Sequence, residues 1–310
     1  MENIKSYNSE KHQSAIRRVV GLPEIEENEL LEKARDIFEK QKKLPFERKK
    51  TERESQIIGD VLSKLPEFLD EYGVKAIKLT PDHIHMVDEG SITSEQKNTY
   101  GIPDEIGGLY IEELQGVVVF SSEDDLKFAE RIIHEAIHAN SFSSFMHDKN
   151  GYHLRRIGIA MLNSKKSKRY FHSINEALTE ELTKRFDKEY SDKMDSLSSV
   201  AKKRKEFIAS MKSKYPETDW DDMRTANAKQ EVDGSYVTTL GAYEYSNERK
   251  EFLKLVDDIY NKNRDKFSSP EDIFALFVKA AFTGRVIEIS KLVESSFGKG
   301  SFRKLGEKSL

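Results

Sequence analysis

His134-Glu135-Ala136-Ile137-His138 fits H-E-x-x-H, a spacing with a direct chemical meaning. Residues four apart lie one turn apart on one face of a helix, so His134 and His138 can reach a single metal ion. Glu135 lies beside that face, close enough to act on a water at the ion without being a ligand. Two imidazoles and one more protein ligand leave the fourth tetrahedral position for water, as in catalytic zinc sites. Zinc lowers the pKa of that water to about 7 in the best-studied cases, and a nearby carboxylate then takes its proton. The pattern therefore predicts a zinc-dependent hydrolase, with His134 and His138 as ligands and Glu135 as general base. On the motif alone a second reading stays open, in which the pair is the polar face of a buried helix.

The motif needs a helix to carry it. Ser121 and Ser122 are followed three residues on by Asp124 and Asp125, a capping-box-like start. Leu126, Ala129, Ile133, Ala136 and Ile137 then recur at helical spacing. Just upstream, the β-branched run Gly116 to Phe120 reads as a buried strand feeding that helix.

A third ligand is sought downstream. Over Ser173 to Leu182, the residues Ile174, Ala177, Leu178 and Leu182 form an apolar face. Glu176 and Glu180 stand one turn apart on a different face. Ser173 and Glu176 also fit a capping box, which would make Glu176 a helix-start residue and nothing more. H-E-x-x-H followed by N-E-x-x-[ST]-[DE] resembles the gluzincin metallopeptidases, the thermolysin-like group. The resemblance implies a zincin-like core with Glu176 as third zinc ligand. It implies that Glu180 supports one zinc-binding histidine from behind and that Asn175 adds a further hydrogen bond. Glu180 and Glu181 are the fallback ligands. A histidine ligand needs its other ring nitrogen bonded, and a carboxylate does this well. The likeness runs from about His134 to Leu182, under a fifth of the chain. The gap between the motifs is longer than in thermolysin, and Glu180 stands where Asp is commoner. A metzincin needs Gly and His where this chain has Ser141 and Ser144, and a peptide deformylase needs a cysteine ligand.

The remaining chain bounds the setting. It has 310 residues, 34% charged and 37% hydrophobic, with a formal net charge of −4 and no cysteine. That composition excludes disulfides, thiolate-zinc sites and a cysteine nucleophile. It gives no reason to expect nucleic acid or membrane as main partner. No signal peptide or membrane-length apolar run is visible, so a cytoplasmic protein is the default expectation; export by a dedicated machine would leave no readable trace.

Residues 1 to about 22 read as polar and without an element. Pro23 opens a helix with Leu30, Leu31, Ala34, Ile37 and Phe38. A second helix starts at Thr51 with Glu54 as capping partner; Pro66 kinks or restarts it and Gly73 stops it. This N-terminal region, 1–73, reads as scaffold, lid or pro-segment. From Val74 the pattern turns to short strands: 74–79, 83–87, 109–111 and 117–120. His83 and His85 share a strand face, as a surface pair or a metal pair. The stretches 88–103 and 141–152 read as loops, and 155–162 with 169–172 as a hairpin across 163–168. After 191 the chain reads as mostly helical: 191–213, a helix around Phe252 to Tyr260, and two more separated by Gly284. Between them, 216–222 reads as a loop and 235–245 has strand-like composition.

Amide hydrolysis creates an oxyanion, and a Tyr, His or Arg donor usually helps the metal to stabilise it. No histidine follows His172, so Tyr243 and Tyr245 are the candidates, with Tyr236 and Arg285 as alternatives. The sequence thus predicts an α+β protein with three parts: 1–73 helical, 74–190 a catalytic core in which a small mixed sheet packs on the His134–His138 helix, and 191–310 mostly helical. The expected activity is that of a zinc metalloendopeptidase acting on a peptide or protein. The substrate would lie extended along an edge strand near Leu109 to Glu113. The alternative is a zinc-bearing regulatory or binding module without catalysis; a third possibility is a metal-free scaffold.

Overall fold

The computed structural model describes residues 16–88, 90–104, 106–149, 151–162, 168–230 and 236–308. Strand β1 (Ile16–Val20) leads to helix α1 (Glu24–Glu39), which starts directly after Pro23. Helix α2 (Glu52–Asp70) begins at a complete capping box between Thr51 and Glu54 and runs unbroken through Pro66. Strand β2 (Ile84–Val87), the short helix α3 (Ser94–Tyr100), and strands β3 (Gly108–Ile111) and β4 (Gly116–Phe120) follow. Helix α4 (Asp125–Asn140) carries the H-E-x-x-H motif. Strands β5 (Ser143–Asp148), β6 (Gly151–Ile157), β7 (Ala160–Leu162) and β8 (Arg169–Tyr170) separate it from helix α5 (His172–Tyr190). Helix α6 (Ser198–Lys212), the ribbon β9 (Met223–Gln230) and β10 (Tyr236–Ala242), and helices α7 (Ser246–Lys262), α8 (Pro270–Thr283), α9 (Ile287–Phe297) and α10 (Ser301–Glu307) complete the chain.

The architecture is α+β, with three separate sheets among the described residues. One runs in the order β2-β4-β3, with β2 parallel and β3 antiparallel to β4. Both faces of β4 are buried, as its β-branched run requires. The second sheet runs β1-β5-β6-β7-β8, with β1 parallel to β5 and the other pairs antiparallel. Helix α4 packs against β3, β4, α2 and α5, and α5 packs against α7. Ile132, Ile133, Ala136 and Ile137 are almost wholly buried in one contiguous core. That core also takes in α2, α5, α7 and α8, so residues from all three expected parts share it. Among the described residues no helix is long and apolar enough to cross a membrane.

Several sequence expectations change. Residues 16–20 form β1 instead of an unstructured lead, because β5 offers them a parallel partner. The expected loop 141–152 contains β5 and the start of β6, paired in a hairpin. Residues 74–79 alternate in hydropathy yet join no ladder. Instead the Ile77 amide donates to Asn140 Oδ1 at 2.7 Å, tying that segment to the end of α4. The expected loop 88–103 holds α3, capped by Thr93 and Gln96. Phe171 and His172 belong to the start of α5, not to a hairpin strand. The 163–167 part of the expected hairpin turn lies outside the described residues. Strand β9 is formed by residues 223–230, which pair with β10, and α6 starts at Ser198 rather than 191.

A buried polar knot ties the C-terminal elements to α5. Asp187 on α5 accepts hydrogen bonds from Arg204 Nη1 on α6 at 2.6 Å and from the hydroxyls of Tyr243 and Ser191. Arg204 Nη1 also donates to the Arg224 carbonyl on β9 at 2.8 Å. Both charged side chains are about 3% exposed. Removing the cation strands a buried carboxylate, which costs about 3–5 kcal/mol. Arg204→Met should therefore lower the unfolding free energy by about that amount in denaturant titrations. A loss below about 1 kcal/mol would mean that the knot does not hold these elements.

Candidate metal centre

The helix start decides how the motif is presented. Asp124 caps α4, its carboxylate accepting from the amides of Leu126 and Lys127 at 2.9 and 3.2 Å. The helix thus begins after Asp124, not at the expected Ser121 or Ser122. Ile133, Ala136 and Ile137 then point into the core while His134 and His138 remain slightly open to a cleft.

Helix α5 brings the carboxylate. It begins at His172, with Phe171 in the left-handed conformation as its cap. The Phe171 amide donates to the Gly306 carbonyl at 2.8 Å and its ring packs on Phe302, so α10 fixes where α5 starts. Ser173 consequently lies inside the helix, and its capping box with Glu176 does not form. The Glu176 side chain is left free to face α4.

Three donor atoms converge. His134 Nε2 and His138 Nε2 are 3.1 Å apart. Glu176 Oε2 lies 3.3 Å from His138 Nε2 and 3.6 Å from His134 Nε2. These three residues form a group that could hold a metal ion. A tetrahedral zinc with bonds of about 2.0–2.1 Å needs donor atoms about 3.3 Å apart. Three lone pairs pointed at one another also repel unless a cation or a proton lies among them. Both the spacing and the donor chemistry therefore fit a divalent ion.

Further polar groups are in contact with these three residues. Glu180 Oε2 lies 2.7 Å from His134 Nδ1, and Glu180 Oε1 accepts from the Glu244 amide at 3.0 Å. Asn175 Oδ1 accepts from the Ile159 amide at 3.0 Å, and its Nδ2 donates to Glu176 Oε1 at 3.5 Å. Gly158 (φ +56°) has to lack a side chain here, because a Cβ would strike the Asn175 amide. His138 Nδ1 is buried without a hydrogen-bond partner among the described residues. Glu181, a fallback ligand, turns away to Arg185 and Arg249.

Glu135 faces the same cleft. Its Oε2 accepts from the Tyr110 amide on β3 at 2.8 Å. Gly108 makes this approach possible, since a Cβ there would lie 2.9 Å from Glu135 Cγ. Burial pushes the Glu135 carboxyl up, against the pull of His134 and His138. The cleft encloses about 600 Å³ and is lined by β3, α4, α5, β6, β7 and the segment before α7.

The two tyrosines part company. Tyr245 lines the cleft, with its ring stacked on His134 at 6.2 Å between centroids and 18° between planes. Its φ of 51° is left-handed, a conformation a bulky residue adopts only when its surroundings impose it. Here the Glu244 amide on Glu180 and the Arg249 amide on the Tyr245 carbonyl impose it. Tyr243 is buried on Asp187 and does not reach the cleft, so its expected catalytic place is corrected to a structural one. Arg285 is exposed and away from the cleft lining, and Tyr236 lies on β10.

His83 and His85 are not a surface pair, and among the described residues they belong to no group of three or more metal-ligating side chains. Both are buried; His83 Nδ1 meets the Thr80 hydroxyl at 2.9 Å, and His85 is bracketed by Glu47 and Gln41. Sequence reading missed His172, whose Nδ1 lies 3.5 Å from Glu176 Oε1. The i, i+4 spacing that flags His134 and His138 would also have flagged it. Sequence reading also missed Glu130, one turn before His134, which pairs with Arg224.

The metal-free protein carries its own signature. Burial lowers the His134 pKa, but Glu176 and Glu180 more than reverse this, and the net value lies well above 6.5. A group raised in the folded state contributes stability that is complete below its unfolded pKa of about 6.5 and is lost as pH rises through the folded value. Burial raises Glu176, but His138 and His134 outweigh it, so its pKa lies well below 4.5. Its contribution is present above the ordinary carboxylate range and is lost on acidification. Chelator-stripped protein should therefore lose stability in urea as pH rises above about 6.5, and His134→Gln should abolish that slope. A stability that climbs from pH 6.5 to 9 with His134 intact would contradict the assignment.

Comparison of the chain with protein-family models, with curated proteins and with solved structures finds no match.

Proposed function

We propose that this chain is a zinc-dependent metallopeptidase with a zincin-like core, holding zinc through His134, His138 and Glu176. The observation that carries the reading is the meeting of these three donors at 3.1 to 3.6 Å, with Glu135 and Tyr245 facing the same cleft. The order of H-E-x-x-H and N-E-x-x-T-E supports it, because the residues that the gluzincin resemblance implies as ligands are the ones that meet. The absence of cysteine leaves nitrogen and oxygen as the donors, a set zinc accepts.

Zinc held there supplies Lewis-acid chemistry, acidifying a water and polarising the carbonyl under attack. The chain's own residues do the rest. Glu135, fixed by the Tyr110 amide and raised by burial, takes the proton of the attacking water and passes it to the leaving amine. The Tyr245 hydroxyl donates to the developing oxyanion. Glu180 sets the ring angle of His134, and Asn175 steadies Glu176. Strand β3 pairs on one side only and borders the cleft, so an extended peptide can add along its free edge.

Three variants test this. Glu135→Gln should keep zinc at the parent's stoichiometry and lower kcat/KM by at least about 10²-fold in a peptide-library cleavage assay. Cleavage at the parental rate would refute the mechanism. Tyr245→Phe should lower kcat by about 10²–10³-fold with little change in KM. Glu180→Gln should weaken zinc binding by about 10–100-fold in chelator competition; unchanged affinity would remove Glu180 from the account.

A further inference from the structure

The charges of the cleft are accounted for one by one, with one exception. Arg131 donates to the Phe120 and Ser121 carbonyls, Arg155 to that of Leu162, and Arg156 to those of Gly158, Gly284 and Ala280. The carboxylates are matched too: Glu130 with Arg224, Glu135 with the Tyr110 amide, Glu176 with the histidines, and Glu180 with His134 and the Glu244 amide. Glu113, Glu244 and Arg169 stand in open water. The exception is Glu112, just past the end of edge strand β3. It lines the cleft, is partly buried, and has no ion pair or hydrogen bond to another side chain among the described residues.

We propose that Glu112 recognises a cationic group of the substrate, an ammonium or guanidinium, seated beside the free edge of β3. The inference rests on the peptidase reading of the cleft. A carboxylate withdrawn from water without a counter-charge is under-compensated, and an incoming cation restores the balance. The state of the group agrees with this. Burial pushes the Glu112 carboxyl up to about 7, against the pull of its own amide and of His138 and Arg169. The cation can come from a Lys or Arg side chain or from a free N-terminus, and both present the same chemistry to the carboxylate.

The test is equilibrium selection on immobilised, zinc-loaded Glu135→Gln protein, in which cleavage is slowed by at least about 10²-fold. The probe is an equimolar pool of octapeptides containing Lys, Arg or norleucine at one position, each with an acetylated or a free N-terminus. Bound peptides are read by mass spectrometry. Capped peptides bearing Lys or Arg should be enriched about tenfold over their norleucine counterparts if the cation is a side chain. Free N-termini should be enriched over acetylated ones if it is the terminal amine. Adding Glu112→Gln should abolish the enrichment, and adding Glu112→Lys should reverse it in a matched pool carrying Glu. Enrichment that survives both changes, or a bound pool with no cationic preference, overturns the proposal. Cleavage by the parent protein is scored separately: its absence counts against the peptidase reading, while the selection still decides the role of Glu112.

Discussion

One buried carboxylate, Glu180, constrains the whole centre. One of its oxygens meets His134 on α4 and the other holds the Glu244 amide just before α7. Three segments distant in sequence are thereby fixed around a single charge. The strained turn at Tyr245 follows from the same contact, because the Glu244 amide is pinned one residue earlier. A carboxylate one methylene shorter would have to move its helix to span both partners. The longer side chain at this position thus has a physical use: it bridges as well as orients.

The second constraint is charge in a confined space. Glu130, Glu135, Glu176 and Glu180 all line the same cleft. Burial pushes the Glu130 carboxyl up, and the charge of Glu180 pushes it further, against the pull of Arg224. Such a cluster is stable only where cations or amide donors face it. Arg224, the Tyr110 and Glu244 amides and the two imidazoles supply that compensation. A divalent ion between the imidazoles and Glu176 would add the largest favourable charge of all.

Much of the centre was legible in the sequence because its parts are local. The spacing of His134 and His138, the Thr51 and Glu54 box, and the pairing of Glu176 with Glu180 depend only on helix geometry. What escaped reading depends on partners far along the chain. Strand β1 exists because β5 completes its ladder, and nothing in Ile16 to Val20 announces that. Residues 74–79 have a strand's alternation, yet Asn140 claims the Ile77 amide and no neighbour supplies a ladder. Tyr243 and Tyr245 look alike in sequence, being two residues apart in one short segment. The structure separates them: the Asp187 knot draws Tyr243 inward, and the pinned turn sends Tyr245 to the cleft.

The most direct measurement is the metal itself. Protein purified without added metal should contain one zinc per chain, and X-ray absorption at the zinc edge should report a low-coordinate nitrogen and oxygen shell with two imidazoles. Substituting Glu176 by Gln should strip or remodel that shell while the fold persists by circular dichroism. A metal-free chain, or a zinc whose shell is indifferent to Glu176 and the two histidines, would contradict the account at its base.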